Sequence, residues 1–365
     1  MKKTGEMICL VLLILVLCPS TLHAEEHTNA WRAELETPES VREYLPLDFG
    51  ELDAATLLDA FDFRFFSEVG VRILTEAIPE AARTFALLLG LLLISALLGA
   101  VRDTLSVPTL KTAMTLASVM CMAGAVFSAT ETVFGFAEGY IESLSGFLRG
   151  VTPTMAAFMA ASGKLSSASV VSSVILVALS LLEGIAAGVL FPLIRLALCL
   201  SVVSAVFGLT GVSGIVPYLR KIISYIFGFT AICLSAVLLF QNMIAKSADS
   251  LALRGVRFAI GSFVPFVGGA VNEALTTVVG GLNTIRTATG VVGAVIVGLH
   301  AAVPVIRILL YKMFLELLSF CGGLLGLSSE TRLVSEVSSF FGYTAAIMAL
   351  TAVFFILSLS MMTTA

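Results

Sequence analysis

Residues 85 to 101 read FALLLGLLLISALLGAV, without a single charge, bounded by Arg83 on one side and by Arg102 and Asp103 on the other. At about 1.5 Å per residue such a helix just reaches across the ~30 Å hydrocarbon core of a bilayer. Backbone in lipid must satisfy its own hydrogen bonds, so the run predicts a transmembrane helix. Six further stretches have the same character: 113–134, 168–188, 190–209, 222–241, 288–310 and 340–362. The expectation is an all-α polytopic membrane protein of about seven transmembrane helices. Composition agrees, with 58% hydrophobic and 13% charged residues and a mean hydropathy of +1.03, well outside the balance of a soluble domain.

The chain starts with Lys2 and Lys3, an apolar run from Met7 to Cys18, and a small-residue end at Ala24. That order predicts a cleavable signal peptide over 1–24. Leu22 is a less usual residue before a cleavage site, which keeps an uncleaved anchor as the alternative. In either case the next segment starts outside the cytoplasm. Residues 25–84 carry fourteen acids and five arginines, whereas the 281 residues after them carry fourteen bases and ten acids. This is an acidic extracytoplasmic helical region, too small to bury much surface alone. Within it, Asp53 is a candidate helix cap, and a helix is predicted from Phe65 to Ile78, stopping before Pro79. The multi-span domain then occupies 85–365.

Charged residues inside apolar runs are costly and face a bundle interior, an aqueous path or a partner charge. Pro192 predicts a tight hairpin or a kink between 168–188 and 190–209. On a hairpin, Glu183 and Arg195 approach each other near the turn as a snorkelling pair. That topology leaves Arg220 and Lys221 outside, against the positive-inside preference. His300 and Arg307 are nearly two helical turns apart and share a face. Gly290, Ala294 and Gly298 form a small-residue stripe suited to close helix packing or assembly.

The stretch RGVRFAIGSFVPFVGGAVNEALTTVVGG, residues 254–281, interrupts an apolar run with Gly261, Pro265, Gly268 and Gly269 and then places Asn272 and Glu273 in it. A broken or re-entrant segment over 258–281 fits, and these six residues are candidates for a gate or a packing contact. Arg286 is the candidate to compensate Glu273.

No catalytic constellation is present. The cysteines form no CxxC pair and read as packing residues; two of the three histidines lie in the first twenty-seven residues, so a metal site has no support. The Gly-Lys-Leu-Ser fragment at 163–166 lacks the glycine spacing of a phosphate loop. The reading is therefore no enzyme, no cofactor and no nucleic acid.

Residues 240–295, and most specifically AKSAD at 245–249 followed by FAIGSFVPFVGGAVNEAL at 258–275, resemble the central signature of the stage III sporulation protein AE family. The signal, acidic external stretch and multi-span remainder resemble that family's layout. The resemblance implies a polytopic component of the mother-cell side of a secretion-like channel to the forespore in endospore-forming bacteria. The implied partners are the other proteins of the stage III AA to AH operon, including a cytoplasmic ATPase and ring-forming membrane proteins, and indirectly the forespore protein Q. It implies no catalytic residue. The competing expectation is an autonomous secondary transporter, which would place its substrate at broken helices near the midplane in related repeats. One broken segment and no second copy are visible.

Overall fold

The computed structural model describes residues 39–44, 61–162, 164–207, 214–239 and 268–364, and the secondary structure among them is helical. The signal segment 1–24 and the candidate cap Asp53 lie outside the described residues. So do Gly261 and Pro265. The helices are α1 (Glu39–Arg42), α2 (Phe63–Thr104), α3 (Pro108–Ala161), α4 (Leu165–Ile185), α5 (Phe191–Phe207), α6 (Gly214–Leu239), α7 (Gly268–Leu324) and α8 (Ser328–Thr364).

Six helices, not seven, are long and apolar enough to cross a membrane among the described residues. The difference lies at Pro192. Instead of turning back, the chain continues as one helix from Ser167 to Phe207, with a π-helical turn at Ala186–Leu190 joining α4 to α5. Proline lacks the N–H that would bond four residues back, and its ring crowds that carbonyl. The wider turn, closed by the Phe191 amide on the Ala186 carbonyl, absorbs the defect without a hairpin.

The second difference is at Pro79. Asp62 caps α2 by accepting from the Phe65 amide at 2.8 Å, and the helix runs through Pro79 into the apolar segment. Residues 63–84 therefore share one helix with the first span.

Of the expected broken segment 258–281, residues 258–267 lie outside the described residues. From Gly268 onward the backbone is continuous helix to Leu324. Gly268, Gly269, Asn272 and Glu273 occupy its first two turns, where the description is of the backbone alone. Gly268 and Gly269 are its first two residues, where the amides have no intrahelical carbonyl to bond, so the pair costs no interior hydrogen bond. Arg286 lies thirteen residues beyond Glu273 on the same helix, about 20 Å along the axis, too far for a direct pair.

α7 and α8 are the most enclosed spans and lie antiparallel along each other. Their turn is a Schellman motif: the Gly326 amide bonds the Gly323 carbonyl at 3.2 Å, and the Leu327 amide bonds the Gly322 carbonyl at 3.0 Å. Gly326 has φ 75°, the left-handed region glycine enters without penalty. The small-residue stripe on α7 faces α8: a Cβ on Gly290 would stand 2.0 Å from Thr363 Cγ2, and Gly293 meets Leu359. Close approach recurs at the turn, where a Cβ on Gly322 would stand 2.5 Å from Thr331 Oγ1 and 3.4 Å from Leu92. Gly322→Val is expected to destabilise the bundle by about 1–3 kcal/mol, read as a lower melting temperature in detergent. An unchanged melting temperature would mean that the turn yields freely.

Three connections gather at one end of the bundle. Ser95 on α2 donates to Glu330 at the start of α8 at 2.9 Å, and Arg102 reaches Thr115 on α3 at 2.8 Å. The end of α5 and the start of α6 meet α8 around Ser204, Val216 and Arg332. Arg220 and Lys221 thus lie towards the same end as Arg102 and Lys111, because the single helix Ser167–Phe207 crosses once where a hairpin would cross twice. The conflict expected at Arg220 and Lys221 disappears with the hairpin.

The apolar segments are not level. Phe85 on α2 stacks against Phe314, and Leu92 reaches Gly322, so the 85–101 run sits beside the last turns of α7. Tyr140, on the second half of α3, instead meets His300 and the Met348 carbonyl, at the centres of the α7 and α8 spans. α7, at 57 residues, is about 85 Å long, far more than one bilayer core covers.

At the far end from the turns, α1 is held against α2. Tyr44 donates to Glu76 at 2.5 Å, Arg72 bonds both Glu76 and Glu43, and its guanidinium lies 5.3 Å from the Tyr44 ring centre. Burial, and then the hydrogen bond to Glu76, push the Tyr44 phenol up to about 12. A raised folded pKa means that this contact contributes fully below pH 10 and is lost as pH rises through 12. The difference in tyrosinate absorbance between wild type and Tyr44→Phe should therefore place the missing transition near pH 12; a transition at pH 10 would leave the contact without weight.

Candidate functional site, a polar seam on α3

The second half of α3 reads ETVFGFAEGYIESLSGFLRG, residues 131–150. At 100° per residue, Glu131, Glu138, Glu142 and Arg149 fall within a narrow arc, with Gly135, Gly139 and Gly146 beside them. The opposite face, including Val133, Ala137, Leu144 and Leu148, is buried in the core. The charged and glycine arc is exposed. A Cβ added at Gly135, Gly139, Gly146 or Gly150 would meet nothing within 4 Å, so this strip of backbone is uncovered. It extends about 28 Å, close to the thickness of a bilayer core.

Two walls border the seam. On one side, Glu183 of α4 pairs with Arg149 at 2.5 Å, and Arg195 of α5 pairs with Glu138 at 3.0 Å while lying 5.0 Å from the Phe134 ring centre. The sequence expectation had paired Glu183 with Arg195. On a continuous helix they are twelve residues apart, about 18 Å, and each takes a partner from α3 instead. On the other side, α7 contributes His300, Val303, Pro304 and Arg307, which with Gly135, Phe136, Gly139, Tyr140 and Ser143 line an open cleft of about 450 Å³. The His300 ring stacks on Tyr140 with centroids 5.2 Å apart, and the Arg307 guanidinium lies 5.7 Å from the Phe136 ring centre. His300 and Arg307 do share a face.

Arg286 stands apart from this seam. It is buried beside the end of α8 and donates to the Thr363 carbonyl at 2.7 Å. Of the seam's charged residues only Glu131 is marked by an apolar run, 113–134; Glu138, Glu142 and Arg149 lie beyond it. The signal was present as acids and a base spaced seven, four and seven residues apart. Among the described residues no group of three metal-ligating side chains comes together.

The family model described as stage III sporulation protein AE matches residues 59–365, most of the chain and all of the helices that build the seam. The chain belongs to the stage III sporulation protein AE family. Its match to the stage III sporulation protein AE of Bacillus subtilis (strain 168) is 28% identical over 235 residues, covering 63% of this chain and 58% of that relative. No solved structure matches. Membership makes the chain a sporulation protein, and the six long apolar helices among the described residues suit a membrane location.

Proposed function

We propose that this chain is an integral membrane scaffold or export-gate component of a multi-protein, secretion-like channel between mother cell and forespore, required for late forespore development. The observation that carries the reading is the α3 seam. Exposed carboxylates and bare glycine backbone, level with the centres of the α4–α5, α7 and α8 spans, are unsuited to lipid and need water or a protein partner beside them. The exposed apolar residues Leu87, Leu97, Met313 and Phe320 on a different level, in a bundle taller than one bilayer, also favour life within a larger assembly.

The end carrying Arg102, Lys111, Arg220, Lys221 and Arg332 faces the cytoplasm under the positive-inside preference. Residues 25–84 then lie on the extracytoplasmic side of the mother-cell membrane around the forespore. The partners are the other stage III AA to AH proteins, with energy from the cytoplasmic ATPase, and the forespore protein Q met indirectly. Gly261, Pro265, Gly268, Gly269, Asn272 and Glu273 are the gate or packing candidates.

The test is crosslinking in sporulating cells, capture through a C-terminal tag, and mass spectrometry of what is retained. Recovery of the ATPase and ring proteins in one large complex is the expected result. A lone monomer or homodimer, where a reference membrane complex survives the same extraction, would overturn the assembly reading in favour of a transporter.

A further inference from the structure

Arg307 differs from the other arginines that border the seam. Arg149 is held by Glu183, and Arg195 by Glu138; further along the bundle, Arg220 is held by Glu336. Arg307 has no carboxylate within ion-pair distance among the described residues; its buried Nε, like those of Arg195 and Arg220, has no hydrogen-bond acceptor. An acid in its field, Glu76 on α2, already accepts from Tyr44 on one oxygen and Arg72 on the other. A guanidinium at this depth needs a counter-charge.

The cleft beside Arg307 has room for one. Its volume, about 450 Å³, is within the ordinary range for small-ligand sites. Gly135 and Gly139 leave the α3 backbone open to close approach, and Phe136 and Tyr140 supply apolar faces next to the charge. We propose that the α3–α7 cleft binds a phosphate-type oxyanion, with Arg307 as the charged donor and the two glycines as the space that admits it. The anion is carried either by a lipid headgroup or by a soluble phosphate compound. The cleft is one wall of the seam on which the assembly reading stands, and binding to the purified chain tests it apart from assembly.

The test uses the full chain purified in a neutral detergent. Two probes separate the sources: radiolabelled inorganic phosphate by equilibrium dialysis, and phosphatidylglycerol against phosphatidylcholine by native mass spectrometry. Saturable binding of either probe is expected, weakened about tenfold or more in Arg307→Gln and largely kept in Arg307→Lys. Gly139→Leu should weaken it comparably by filling the cleft with the charge intact, while Arg64→Gln, on the exposed start of α2, leaves it unchanged. Binding of phosphate alone assigns a soluble ligand, and selective retention of phosphatidylglycerol a lipid one. Failure of both probes to bind, or equal binding by wild type, Arg307→Gln and Gly139→Leu, would overturn the proposal.

Discussion

Replacing Glu336 by Gln is expected to destabilise the bundle by about 3 kcal/mol, whereas Arg220→Met combined with Glu336→Leu should be close to neutral. The pair joins α6 to α8, with side chains only 28% and 18% exposed, and the Arg220 guanidinium lies 5.6 Å from the Phe340 ring centre. Removing only the carboxylate strands a charge that water reaches poorly. Removing both groups trades the pair for apolar contact in a surround that already holds Phe340 and Leu333. Denaturation of the single and double variants in detergent reads the difference. Equal losses in both would mean that the pair itself carries the stability and that no penalty attaches to the stranded charge.

Substituting Glu131 and Glu142 by Leu should move stability and function in opposite directions. Neither carboxylate has an ion-pair partner among the described residues, while Glu138 is left in place to hold Arg195. A charge at the centre of a bilayer costs about 2.5–3.5 kcal/mol on insertion scales, so the double variant should insert and accumulate at least as well as wild type. Heat-resistant spore counts should nevertheless fall by orders of magnitude, because the seam would then suit lipid in place of water or a partner. Undiminished spore counts with normal accumulation would make the seam a tolerated surface and remove the observation on which the proposed function stands.

Much of the fold was legible because a bilayer reads composition directly. The runs at 85–101, 113–134, 288–310 and 340–362 lie within helices, the described part of 222–241 lies within α6, and the small residues at 290, 294 and 298 follow the helical period along α7. The seam on α3 was equally legible in principle, since its acids repeat on one helical face. A search guided by apolar runs passes over a helix that stays helical while one side becomes polar.

Sequence by itself determined that this chain is helical, membrane-spanning and acidic near its start, and the matching family model covers most of it. Those properties are sums over local residues: apolar length, charge, and the requirement that backbone in lipid bond to itself. Only the tertiary structure decided that Pro192 makes a π turn and not a hairpin, that Glu183 and Arg195 reach across to α3, and that Arg307 faces an open cleft. Each depends on which helix stands alongside and at what height. A side chain's charge is written in the sequence, whereas its partner is fixed by the packing of helices far apart along the chain.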